Sequence, residues 1–141
     1  MELFFYYVLG GLLCCLVAFY IDDKLNHSNK ERKIYRFEDC EGIGPYQSKI
    51  FNYNDSKLVE HNLSRNHPCP PTHIFKKNRK AVCGFSSIRS LTNWFSTEEL
   101  EILKNEGFKL YVYYVRNKEV FFESDRQVVF NRRGTSEEIS Y

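Results

Sequence analysis

The sequence predicts an α+β protein: an N-terminal transmembrane helix followed by a small domain with an antiparallel β-meander and two short helices. Three observations lead there. Residues 3–21, LFFYYVLGGLLCCLVAFYI, carry no charge. Residues 87–106 place apolar side chains at helical spacing around a Ser-Thr-Glu-Glu start. Residues 108–131 form three Tyr-, Val- and Phe-rich segments separated by short polar turns. Strands and helices segregated in this way suggest helices packed on one face of an antiparallel sheet.

The uncharged run comes first. Nineteen residues in a helix span about 28 Å, close to the hydrocarbon thickness of a bilayer. Tyr6 and Tyr7 lie near one end of the run and Phe19 and Tyr20 near the other. Such rings favour the headgroup level. A cleaved signal peptide needs a basic start and small residues before its cleavage point. Here the start is Met-Glu and the exit is Ala-Phe-Tyr-Ile-Asp-Asp. Residues 1–21 are therefore expected to be an anchor in a lipid bilayer. Lys24, Lys30, Arg32, Lys33 and Arg36 follow the run, and no Lys or Arg precedes it. The positive-inside bias then places the N-terminus outside and the domain in the cytoplasm. The sparse, irregularly spaced cysteines Cys40, Cys69 and Cys83 fit a reducing compartment better than a disulfide framework.

Residues 22–33, DDKLNHSNKERK, are polar throughout and read as a juxtamembrane linker. The domain proper is expected over 34–131. Ile34–Glu38 is a short strand by imperfect alternation, and Gly42-Ile43-Gly44-Pro45-Tyr46 is a turn. Residues 50–53 suggest another short strand. Residues 54–80 have no clear period and contain Pro68, Pro70 and Pro71, which predicts a long loop with at most one helical turn. Residues 81–85 open either a brief strand or a helix. Ser87 starts a helix with Ile88, Leu91, Trp94 and Phe95 on one face, and Ser96 with Glu99 forms a capping box for a second helix that ends at Gly107. Residues 108–115, 119–123 and 127–131 form the meander, and the polar tail 132–141 is expected to fray.

The net charge of +2 is too balanced for a nucleic-acid binder, and no nucleic-acid partner is expected. Tyr111, Tyr113, Tyr114, Phe121, Phe122 and Phe130 are accordingly read as core rather than as a base-stacking platform. His67, Cys69, His73 and Cys83 could donate to a soft metal, but their spacing matches no common zinc module, so no metal and no cofactor is expected. No nucleophile–base pair stands out, and binding is favoured over catalysis. Gly42-x-Gly44 lacks the third glycine and the strand–helix setting of a nucleotide fingerprint. It could still let a backbone approach a ligand, with Arg36 beside it to hold an anion.

The order of motifs carries a resemblance. Tyr35-Arg36, Gly42-x-Gly44-Pro45-Tyr46, His67-Pro68-x-Pro70, Gly84-Phe85-x-Ser87, Leu91-x-x-Trp94-Phe95, Gly107-Phe108 and Gln127-Val128-Val129-Phe130 follow one another. This resembles a family of small uncharacterised proteins of tailed bacteriophages, over residues 34–130 or so. The resemblance implies a phage accessory protein anchored in the host inner membrane and passes on no catalytic residue. It singles out Arg36, Gly42, Gly44, Tyr46, His67 and Gln127 as ligand-binding candidates. The expected partner is a host protein or a small anionic ligand; the alternative is a membrane-tethered domain that binds a nucleotide-like ligand, either sequestering it or acting on it as an enzyme.

Overall fold

The structure, a computed structural model, describes residues 2–48 and 70–141, with side chains in the first helix from residue 12 onward. Helix α1 spans Glu2–Asn29, and strand β1 follows at once over Glu31–Glu38. The short helix α2 covers Thr72–Lys77 and leads into β2, Ala81–Gly84. Helices α3, Ile88–Trp94, and α4, Thr97–Asn105, precede β3, Lys109–Arg116. A single 3₁₀ turn, Asn117–Glu119, passes the chain to β4, Val120–Glu123, then β5, Val128–Asn131, and β6, Thr135–Ile139. The architecture is α+β with antiparallel pairing throughout the described strands.

The described strands fall into two three-stranded sheets, β1-β3-β6 and β2-β5-β4. Segments 108–115, 119–123 and 127–131 therefore do not make one meander. The 3₁₀ turn diverts the chain after β3, so that β3 pairs with β1 and β6 while β4 and β5 form a hairpin in the other sheet. The sheets meet where Tyr35 and Phe85 exchange two backbone hydrogen bonds of 2.8 Å.

Alternation along β1 assigns its side chains to two faces. Ile34 points between the sheets with Tyr113, Val115, Val128 and Phe130. Phe37 points the other way, into a cluster with Phe85, Leu91, Trp94, Phe95 and Leu103 supplied largely by α3 and α4. Both helices start as the sequence dictates. Ser87 accepts from Ser90 N–H, and Ser96 and Glu99 close the capping box. Glu99 is fully buried because that box consumes its carboxylate.

The tail includes a strand. Residues 135–139 pair with β3 at the sheet edge, and Tyr141 donates to the Phe108 carbonyl at 2.9 Å while its ring lies 4.7 Å from that of Phe37. Lys109–Glu138 and Tyr114–Glu137 contacts link the outer faces of these strands. An edge strand with four exposed residues has a polar composition, and that composition is indistinguishable from a tail in a sequence window.

Residues 22–29 continue α1 as helix, and residues 31–33 already belong to β1. The helix end is tied to the domain. Asn117 donates its side-chain amide to the His27 carbonyl at 2.9 Å and its backbone N–H to the Lys30 carbonyl at 3.1 Å. Every described side chain from Leu12 to His27 is exposed. Among the described residues no helix is long and apolar enough to cross a membrane. The described apolar side chains, Leu12 to Ile21, cover about 15 Å, half a hydrocarbon layer.

Candidate functional site

A cavity of about 440 Å³ opens between β1, the loop after it, α2, β2 and the corner joining α3 to α4. Its walls are mainly rings: Phe37, Tyr46, Phe75, Phe85, Trp94 and Phe95. The rings brace one another. Phe85 lies 5.7 Å from Trp94 and 5.9 Å from Phe95, and Tyr46 is stacked near-parallel on Phe95 at 6.1 Å. The Trp94 indole N–H donates to the Tyr46 hydroxyl at 3.0 Å, which satisfies the one polar group of the indole inside an apolar wall.

The polar edge comes from Arg36 and Gln127, 7% and 8% exposed. Arg36 and Glu38 are two residues apart on β1, so they share the face that Ile34 uses for the inter-sheet core. Arg36 Nε donates to Glu38 Oε1 at 2.8 Å, and its Nη1 donates to the Cys83 carbonyl at 2.5 Å. Glu38 also accepts from the Tyr113 hydroxyl at 2.9 Å and from Arg132 Nη2 at 3.1 Å. A carboxylate at 3% exposure is tolerable only with such partners. Burial pushes the Tyr113 hydroxyl above the usual phenol range. The Arg132 hydrogen bond opposes this shift, and the Glu38 charge adds to it.

The loop after β1 is organised by Asp39. Its carboxylate accepts from the backbone N–H of Glu41 and Ile43, each at 2.9 Å, and from the Ser48 hydroxyl. Burial pushes this carboxyl upward, but the hydrogen bonds from Ser48 and the loop backbone outweigh it and hold the group below the usual range. Gly42 and Gly44 then gain a specific reason. Gly42 has φ 76°, and a Cβ there would overlap the Arg132 guanidinium. A Cβ on Gly44 would fall 2.8 Å from Arg36 Nη2. The two glycines make room for the chain's own two arginines, which flank Glu38.

Of the six sequence candidates, Arg36, Gly44, Tyr46 and Gln127 line one cavity. Gly42 lies behind it, against Arg132. His67 and Cys69 lie outside the described residues, as do residues 50–53. Cys83 lines the cavity wall, whereas His73 is exposed on α2. Among the described residues no group of three or more His, Cys, Asp or Glu side chains could hold a metal ion. Sequence reasoning missed Glu38, Arg132, Tyr113 and the ring wall. The i, i+2 pairing of Arg36 with Glu38 was the available signal for the first, and nothing local marked Arg132, 94 residues from its carboxylate partner.

No curated protein and no solved structure matches the chain. A family model does: residues 30–140 match the one described as Bacteriophage T4 Y00F protein. The match covers the whole domain from the end of α1 to the last strand, including every cavity residue, and so the chain belongs to the Bacteriophage T4 Y00F protein family.

Proposed function

We propose that the protein is a non-catalytic binding module, tethered by α1 to the inner membrane of the phage's bacterial host, with the ring-walled cavity as its ligand site. The cavity carries this reading. It falls within the roughly 300–1,000 Å³ typical of small-molecule sites, is lined mostly by apolar rings, and holds a few convergent polar groups. Arg36 already shares its charge with Glu38, so the site favours an uncharged group over the anion that Arg36 alone suggests.

A separate observation supports the tether. Leu12, Leu13, Leu16, Val17, Phe19, Tyr20 and Ile21 are all exposed, and together with the exposed, uncharged Cys14, Cys15 and Ala18 between them they surround α1. A helix apolar on every side needs an apolar surrounding. The uncharged sequence continues upstream to residue 3, enough in total for a bilayer core. Lys24 and Lys30 then sit on the cytoplasmic side, and the Asn117 clamp holds the domain at a fixed attitude below the membrane.

Two measurements test the proposal. The full-length chain should float with phosphatidylethanolamine–phosphatidylglycerol vesicles and survive an alkaline carbonate wash, and Leu16→Lys with Val17→Lys should release it. Recovery of the intact chain in solution without detergent would end the tether. A thermal-shift panel on the detergent-solubilised protein should find small molecules that raise its melting temperature, because a ligand held only by the native state stabilises it. Those shifts should vanish in Tyr46→Ala; shifts that persist there would place binding elsewhere.

A further inference from the structure

The geometry points to an uncharged, planar heteroaromatic ring, of the kind found in a nucleoside base or an indole, as the ligand of the cavity bounded by Arg36, Tyr46, Trp94 and Gln127. This inference rests on the proposed binding function and gives it a chemical class. Three features of the site converge on it.

The first is the walls. Rings on several sides favour a flat guest, which can stack or meet them edge-on over its whole area. The second is charge. Arg36 and Arg132 face Glu38 directly, and the Asp39 carboxylate adds a second negative charge near Arg132. Two cations and two anions cancel within one cluster, so a phosphate or carboxylate on the guest would find no net countercharge to repay its desolvation.

The third is the buried polar edge. Gln127 presents a carboxamide that both donates and accepts, and Arg36 presents N–H donors, at 8% and 7% exposure. A hydrocarbon guest would drive water from these groups and leave them without replacement, which is strongly selected against. A heterocycle with a donor and an acceptor on one edge replaces that water group for group.

Trp94 makes the test direct. It is the chain's single tryptophan and lines the cavity, so its emission reports occupancy of this site. The full-length protein in detergent micelles is titrated with adenosine, uridine, toluene and adenosine monophosphate, with excitation at the red edge of the indole band. Adenosine and uridine should change the emission saturably, with adenosine monophosphate at least about tenfold weaker than adenosine, a ratio worth about 1.4 kcal/mol. Gln127→Leu should weaken adenosine several-fold and leave toluene nearly unchanged.

Saturable binding of toluene alone would overturn the heteroaromatic assignment while leaving the cavity a binding site. Adenosine monophosphate binding as tightly as adenosine, or tighter, would overturn its neutrality. An emission unmoved by all four probes, in a protein whose denaturation still shifts that emission, would remove this inference. The thermal-shift panel decides separately whether the binding function falls with it.

Discussion

Glu38 holds three donors at once, and what happens when it is removed follows from their burial. The Arg36 side chain is only 9% exposed, whereas that of Arg132 is 38% exposed and can rehydrate. Glu38→Gln should therefore cost about 3–5 kcal/mol in chemical denaturation, chiefly through the stranded Arg36 charge. Gly42→Ala meets both a positive φ and the Arg132 guanidinium, and should cost more than the ~1 kcal/mol of the backbone effect alone. Titration gives signs as well. The Tyr113 hydroxyl is raised in the fold from its ordinary 10.0, so the stability it contributes is complete below that value. That stability is lost as pH climbs through the raised value, and Tyr113→Phe should flatten the alkaline limb of a stability–pH curve. The Asp39 carboxyl is lowered from 3.8, so its contribution is complete above 3.8 and is lost as pH falls through the lower value. Asp39→Asn should flatten the acid limb. At this scale the sequence showed Arg36, Gly44, Tyr46 and Gln127, because each lies in a distinctive local string. It could not show that two glycines serve two arginines, because Arg132 arrives from the far end of the chain.

Helices α3 and α4 form the element that sequence chemistry specifies best. Ser96 and Glu99 satisfy each other's backbone donors, and Leu91, Trp94 and Leu103 face the sheet. Ser96→Ala should cost about 1 kcal/mol by removing the cap. Leu103→Ala should cost about 2–5 kcal/mol by opening a void in a fully buried position. Comparison of the two unfolding free energies checks that packing outweighs capping here. Strand β6 is the opposite case. Its sequence is polar and its attachment rests on β3 pairing, Ile139 and the Tyr141 ring. Deletion of residues 134–141 should lower the melting temperature and leave β3 as an exposed edge, detectable as increased amide exchange across Leu110–Tyr114.

On the scale of the whole molecule, the two described sheets meet at the Tyr35–Phe85 bridge and enclose an apolar core that ends in a charged cluster. The cavity lies beside that cluster, where the sheets part and α3 and α4 cover one face. Charge inside the fold is thus spent on holding the first loop against the sheets, and the rings are left to face the cavity. The clamp of Asn117 on the end of α1 joins this body to the exposed apolar helix. If α1 is the proposed tether, Asn117→Ala should leave attachment intact while loosening the domain's attitude. The expected readout is broader distance distributions between spin labels placed at Lys24 and Lys118.

The sequence by itself determined what depends on neighbours a few residues away: an uncharged run at the start, two capped helices, strands rich in Val, Tyr and Phe, and the strings that identify the family. Only the tertiary structure decided how the strands divide between two sheets, that the polar end becomes β6, and that Arg36, Glu38, Arg132 and Tyr113 form one cluster. The reason is physical. Capping and helical periodicity are written in local hydrogen bonds, whereas sheet partnership and the neutralisation of a buried charge are settled between segments that meet only when the chain has folded.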